Sequence, residues 1–309
     1  QVLAELKEVH PGLLTVVAGA HATFMPEQCL EHNAVDVIVR NEEELVIRDL
    51  LASYERGGED WKQTLGIGFG KNGSATLNEQ YPGPKVLDEI PITDWSLLPK
   101  GVYYFYPLVK RYPFVTDLTT RGCPKKCAFC MAPGFYGNKV RGRSAEHIIK
   151  GFEHYSSQGY KEVYIKDEMF TSLKKRNDVV FDYMINKQVD LTWFCSAAVG
   201  WIDKPMMEKM KRAGCHTIKV GVESGVQEIL DRIKKDITLD QIRDTFRWAE
   251  EVGINTHAHL MIGHPGETED TIQQTIDFIK KLNHTTVTFG IMTPFPGTPI
   301  FEELAQETP

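Results

Sequence analysis

The chain has 309 residues, of which 42% are hydrophobic and 25% charged, with a formal net charge of −7. That balance is ordinary for a globular chain and supplies enough apolar side chains for one or two cores. The acidic excess disfavours broad nucleic-acid binding, and no run of about 18 apolar residues occurs that would span a membrane.

The sequence opens QVLAELKEVHPG, a charged helix end without the apolar segment of a secretory signal. Gln in place of Met at the start, with an apolar strand close behind, gives the look of a piece excised from a longer chain. Leu13 to Ala18 reads as a buried parallel strand, GAHATFMPEQCLEH as a loop and helix, Val35 to Arg40 as a second strand, and residues 41–57 as an amphipathic helix. This pattern predicts the end of a doubly wound α/β sheet. Ligands of such sheets lie beyond the carboxyl ends of the strands, here Gly19 to Thr23 and Arg40 to Glu44. LGIGFG and ATLN flank an Asn72-Gly73 turn signal and predict a hairpin. Pro82, Pro84, Pro91 and Pro99 then forbid a long helix, so this stretch reads as a linker with the domain boundary near Asp94. The aromatic strip VYYFYPL is expected either to cover the mouth of the second domain or to pack between domains.

Arg121 to Cys130, RGCPKKCAFC, places Cys123, Cys127 and Cys130 on one short loop. A disulfide would use two thiols and strand the third, whereas three thiolates can converge on one inorganic centre, iron-sulfur or zinc. Cys29, Cys195 and Cys215 are scattered singly and read as ordinary buried thiols of a reducing, cytoplasmic setting.

The spacing CxxxCxxC, with Phe129 before the last cysteine, resembles the signature of the radical S-adenosylmethionine (SAM) superfamily. The resemblance implies a 4Fe-4S cluster held by Cys123, Cys127 and Cys130, with one iron left open for the amino and carboxylate groups of SAM. In the family, one electron from the cluster breaks a C–S bond of SAM, and the resulting 5′-deoxyadenosyl radical abstracts hydrogen from substrate.

From Pro113 onward strand and helix alternate at roughly 30 residues per unit, as parallel crossovers require. Candidate strands are Phe114 to Thr120, Glu162 to Lys166, Leu191 to Ala197, His216 to Val222, Asn255 to Ile262 and Thr285 to Ile291, with Ser144 and Thr268 as helix N-caps. Six units predict a partial (β/α)6 TIM-like barrel with its active site at the carboxyl ends of the strands. Against the family pattern, Asp167 and Glu168 then correspond to the acidic motif that binds the SAM amino group. Glu223 faces the ribose hydroxyls with Ser224 beside it, Lys235 pairs with the SAM carboxylate, and Met261 and Gly263 belong to the adenine-contact segment. Strand alternation puts His257 and His259 on the face of Met261, as substrate contacts or hydrogen-bonded core histidines. Arg121, Lys125, Lys126, Arg141 and Arg143 flank the cluster loop, either as a solvated surface or as a guide for an acidic electron donor such as flavodoxin or ferredoxin.

VVAGAHATFMPE followed by VDVIVRNEEE resembles the C-terminal half of the cobalamin-binding domain that precedes the barrel in one large radical SAM class. Ala20, Asn41 and Glu43 stand where that class usually has glycine, and no DxHxxG cobalt-ligand motif occurs. Gly19 and His21 are the possible cobalamin contacts, and cobalamin is expected with the full-length protein rather than with residues 1–309. The organisation predicted is a partial B12-binding-like domain with hairpin and linker over 1–94 and a radical SAM core over 95–309. Two functions stay open: a B12-associated methyltransferase or cyclase acting on a small molecule, or an iron-sulfur or zinc protein with a structural or electron-transfer role and no SAM cleavage.

Overall fold

The computed structural model describes residues 1–70, 74–99 and 105–307. The chain divides into two compact units, one made of Gln1–Lys85, Met131–Tyr136 and Pro294–Pro309, the other of Val86–Cys130 and Gly137–Thr293.

In the first unit, strands β1 (Val16–Ala18) and β2 (Val37–Val39) are parallel, as the two apolar runs predict. The run of β2 is apolar throughout because both faces are covered. Val37 and Val39 pack with Val46 and Leu50 of the helix Glu43–Glu55, while Ile38 packs with Ala22 and Leu30 of the short helices Ala20–Phe24 and Pro26–Glu31. Strands β3 (Ile67–Phe69) and β4 (Thr76–Leu77) form the predicted hairpin, and β3 also pairs antiparallel with β2, so the hairpin extends the sheet. Its Asn72-Gly73 turn lies outside the described residues.

The second unit is built on six parallel strands. These are β5 (Phe114–Asp117), β8 (Glu162–Ile165), β9 (Thr192–Ala197), β10 (Cys215–Glu223), β11 (Asn255–Ile262) and β12 (Thr286–Ile291), while β6 (Thr120–Arg121) and β7 (Arg141–Gly142) form a separate antiparallel pair. Spatial order follows chain order, and each connection carries a helix, namely Ala145–Ser157, Lys174–Lys187, Lys204–Arg212, Leu239–Val252 and Glu269–Lys280. The hydroxyls of Ser144 and Thr268 accept from the amides of His147 and Thr271, capping the first and last of these as their sequence positions predict. All six predicted strands are present, but the first stops three residues early. Asp167 takes both the amide and the hydroxyl of Thr119, which turns the chain out of the sheet and sends Thr120 into β6.

Alternate residues of each strand divide between two faces. Val163, Ile165, Trp193, Cys195, Ile218, Val220, Ala258 and Leu260 join the core beneath the helices, which leaves Tyr164, Phe194, Lys219 and His259 for the opposite face. At the amino ends of the strands that face is closed. Glu162, fully buried, accepts from the amides of Lys110 and Arg111 at 3.0 Å and from the Thr192 hydroxyl at 2.7 Å, with His216 Nε2 3.1 Å away. The segment it anchors lays Tyr106 on Tyr164 and Phe194, with ring centres 5.1 and 5.8 Å apart. Of the described part of the aromatic strip, Tyr106 therefore lies at the floor while Phe105 is exposed; Val102, Tyr103 and Tyr104 lie outside the described residues. The proline-rich linker contains only two single-turn 3-10 helices, Leu87–Glu89 and Trp95–Leu97. From Val86 onward it packs within the second unit, where Arg143 Nη1 donates to the Ile90 carbonyl at 2.6 Å.

The Glu162 anchor carries a pH signature. Burial alone would raise its pKa, but donors from His216, Thr192 and Lys110 hold it below the ordinary glutamate value. A carboxylate depressed in the folded state adds stability above its unfolded pKa of about 4.3, and that stability is lost as pH falls through the folded value. Glu162→Gln should thus lose roughly 1 to 3 kcal/mol at pH 7 by urea denaturation, with the deficit shrinking below about pH 4. A deficit independent of pH would exclude the ionised carboxylate as its origin.

Candidate functional site

The cysteine loop begins where β6 ends, and its backbone is fixed before its side chains do anything. Gly122 has φ +92°, and a Cβ there would lie 2.1 Å from the Lys139 carbonyl oxygen, so only glycine fits. The amide of Cys123 donates to the Gly137 carbonyl at 3.1 Å and that of Ala128 to the Ile233 carbonyl at 2.8 Å. Lys125 Nζ reaches both the carbonyl and the carboxylate of Asp236, at 2.9 and 2.8 Å. Arg176 Nη1 adds a bond to the carbonyl of Thr119, the residue that Asp167 holds from the other side.

This framing directs Cys123, Cys127 and Cys130 into one cavity of about 460 Å³. Burial raises the pKa of Cys123 and pushes Cys127 up to about 11. Such thiols stay protonated until a metal takes the proton's place. Among the described residues no three His, Cys, Asp or Glu side chains converge tightly enough to hold a single ion. Each of the three cysteines lines the cavity wall.

The adjacent acids after β8 part company. Glu168 lines the cavity; burial raises its pKa, and its Oε2 is buried without a hydrogen-bond partner among the described residues. Asp167 points the other way, fully buried on Thr119, and does not reach the cavity. At the end of β10, Glu223 lines the cavity and takes Lys235 Nζ at 2.6 Å. Burial opposes the charge of Lys235, but Glu223 and the nearby Cys127 hold its pKa above the ordinary lysine value. Glu223 has φ +62°, a left-handed conformation costing of order 1 kcal/mol or more in a residue with a side chain. Gly221 makes room for the pair, since a Cβ there would stand 2.6 Å from Glu223 Oε1 and 2.8 Å from Lys235 Nζ. Ser224 is fully buried, with its hydroxyl 3.2 Å from that of Thr275, and so supports the strand end from behind.

On β11, Met261 and His259 line the cavity. Burial, with Lys219 and His257 adding to it, lowers the His259 pKa to about 4, so its imidazole is neutral at physiological pH. His257 sits between Thr286 and Thr288, one ring nitrogen 2.7 Å from the first hydroxyl and the other 3.2 Å from the second, as a hydrogen-bonded core histidine does. Of the pair, His259 is the one that lines the cavity. Gly263, φ +90°, donates its amide to Glu267 at the start of the next helix and is absent from the cavity wall. Of the basic residues flanking the loop, Arg121 and Arg143 are buried and Lys125 is bound to Asp236, which leaves Lys126 exposed and Arg141 half-buried. In the first unit, Gly19 caps the helix that carries His21; His21 is exposed, and no atom stands within 4 Å of where a Gly19 Cβ would be. Asn41, one of the glycine replacements, donates its side-chain amide to the Phe135 carbonyl at 2.9 Å within that unit.

Lys219 is the charged cavity residue that the motifs miss. The only sequence signal for it is a lysine inside the apolar run of β10, two and four residues before Gly221 and Glu223 on the same face.

Residues 118–279 match the Radical SAM superfamily. An uncharacterized methyltransferase of Pyrococcus horikoshii is 34% identical over 299 residues, 96% of this chain and 64% of its own length. The anaerobic magnesium-protoporphyrin IX monomethyl ester cyclase of Rubrivivax gelatinosus is 27% identical over 97% of this chain and 55% of its length. Among solved structures, the radical SAM methyltransferase TsrM of Kitasatospora setae, with cobalamin and a [4Fe-4S] cluster bound, superposes with a TM-score of 0.81 at 19% identity, over 99% of this chain and 62% of that one. The cobalamin-dependent radical enzyme OxsB gives 0.79 at 18%, over 99% of this chain and 49% of that one. An α/β fold with a parallel sheet is common to these structures and this chain, which spans between half and two thirds of the length of these relatives. This chain belongs to the radical SAM superfamily.

The Glu223–Lys235 pair is testable by itself. Removing one partner leaves a charge in a poorly hydrated site, so Lys235→Met should cost roughly 2 to 3 kcal/mol. In urea unfolding the Glu223→Gln/Lys235→Met double variant is expected to recover most of that loss. Strictly additive losses would show that the two side chains do not act as a pair.

Proposed function

We propose that this chain is the core of a radical SAM enzyme of the cobalamin-associated class, performing methyl transfer or radical cyclisation on a small-molecule substrate. The observation that carries the reading is the meeting of three thiols, an unpartnered Glu168 oxygen and the Glu223–Lys235 pair around one cavity. Three closely spaced cysteines without a second pair suit an iron-sulfur cluster better than a structural zinc, which takes four protein ligands. When bound, a 4Fe-4S cluster and SAM supply a 5′-deoxyadenosyl radical by one-electron cleavage of the sulfonium.

The chain's own residues bind and orient. Cys123, Cys127 and Cys130 would hold the cluster, and the orphaned Glu168 oxygen suits the ammonium of SAM. Glu223 would accept the ribose hydroxyls, Lys235 would turn to the SAM carboxylate, and Met261 would pack on adenine with Gly263 setting the turn beside it. Asp167 and Ser224 act indirectly, by fixing the cluster loop and the end of β10. We read the six parallel strands as a partial (β/α)6 barrel within a core domain over 95–309, and residues 1–94 as the C-terminal half of a cobalamin-binding-like domain with its hairpin and linker. The parallel β1 and β2 support the latter. Gly19 and His21 would then contact cobalamin in the full-length protein, and Lys126 with Arg141 would meet an acidic electron donor.

Anaerobic reconstitution with iron and sulfide should load one cluster, and the triple Cys→Ala variant of Cys123, Cys127 and Cys130 should load none. The reduced protein is expected to release 5′-deoxyadenosine slowly from SAM. Misplacement by about 1 Å can cost on the order of 100-fold in rate, so Glu168→Ala should lower the release by about that factor at unchanged iron content. A loaded cluster with no 5′-deoxyadenosine would favour electron transfer, and full iron uptake by the triple variant would remove the cysteines from the site.

A further inference from the structure

One cation of the cavity has no role in the reading above. Lys219 sits in the middle of β10, four residues and so roughly 13 Å along the strand from Glu223 at its end. Its register partner on β9 is Ser196, and one pleat onward His259 on β11 is in register with Thr288 on β12. All four line the cavity. Lys219 Nζ donates to Tyr164 Oη at 2.5 Å and lies 4.9 Å from the centre of that ring and 5.7 Å from that of Tyr106.

The groups nearest this ammonium are neutral, and Glu168, whose carboxylate also lines the cavity, does not pair with it. Burial keeps the Tyr164 phenol protonated and the His259 imidazole unprotonated. Among the described residues Lys219 has no carboxylate partner, and Glu223 is taken by Lys235. An ammonium has three donors, of which Tyr164 uses one. A partly buried cation that faces an apolar cavity with donors to spare and no counter-ion is stabilised by an anion entering that cavity.

We propose that Lys219, flanked by Ser196, His259 and Thr288, forms an anion subsite at the inner end of the cavity and binds a carboxylate group. The geometry stands independently, while its meaning rests on the enzyme reading: the carboxylate belongs to the small-molecule substrate or to SAM itself. The distance from the strand-end residues favours the substrate.

The test uses the full chain, reconstituted under anaerobic conditions, with 4-fluorobenzoate as probe and uncharged 4-fluorobenzamide as control, each followed by the width of its ¹⁹F line. The benzoate should broaden and the benzamide should not. Lys219→Met should weaken benzoate binding about tenfold or more, the usual consequence of losing a charge-assisted hydrogen bond, and Lys219→Arg should retain it. If Lys219→Met does not fold by circular dichroism, Lys219→Gln carries the same expectation. Broadening that persists in saturating SAM assigns the subsite to substrate. Displacement by SAM, together with a tenfold loss of SAM affinity in Lys219→Met, assigns it to the SAM carboxylate. Either result upholds the subsite. Equal broadening by the wild type and the Lys219 variants, or none by the wild type, overturns it. Iron content and 5′-deoxyadenosine release from the same samples report separately on the enzyme reading, so each can fail without the other.

Discussion

A loop that presents three thiols to a cavity is held in shape through its backbone and the side chains between the thiols. Nearly everything around residues 121–130 serves that constraint. Asp167 takes the donors of Thr119 just before the loop, Arg176 takes the Thr119 carbonyl, and Gly122 passes so close to Lys139 that no side chain fits. On the far side, Ala128 and Lys125 are tied to Ile233 and Asp236, in the segment beyond β10. The buried Asp167 adjacent to the cavity-lining Glu168 is thus a division of labour imposed by strand alternation, one acid for the frame and its neighbour for the cavity wall.

The same economy governs charge. Within one cavity, Glu223 and Lys235 neutralise each other, His259 is kept neutral by burial, and burial holds the Cys123 and Cys127 thiols protonated. The groups left over are a carboxylate oxygen on Glu168 at the strand end and an ammonium on Lys219 deeper in the sheet. A zwitterionic ligand, or two ligands of opposite charge, would complement that separation.

What the sequence made legible follows from where the information resides. Cysteine spacing carries its chemistry in the chain itself, and apolar periodicity with capping residues located the six parallel strands of the second unit and the helices opened by Ser144 and Thr268. Side-chain direction at strand ends is a property of register, so the dipeptide Asp167-Glu168 read as a single motif although only Glu168 reaches the cavity. The basic cluster misled for a related reason. Arg121 and Arg143 look like surface in sequence, but each is buried, and Arg143 bonds to carbonyls of a linker more than 50 residues away. Lys219 was invisible because its significance lies in its cross-strand neighbours, Ser196 beside it and His259 and Thr288 one pleat on.

The sequential strand order has a consequence in time. Because β5, β8, β9, β10, β11 and β12 lie side by side in the order in which they are synthesised, each new strand meets an edge already in place. The cysteine loop is an exception, since its ties to Ile233 and Asp236 come from chain made about 100 residues later, or roughly 5 to 20 seconds at ribosomal rates. During that interval the three thiols are carried on a strand end without their far-side restraint. The nascent chain therefore presents its three thiols before it can confine them, and the closing of β10 and the segment beyond it marks the moment at which the cysteine loop acquires its final shape.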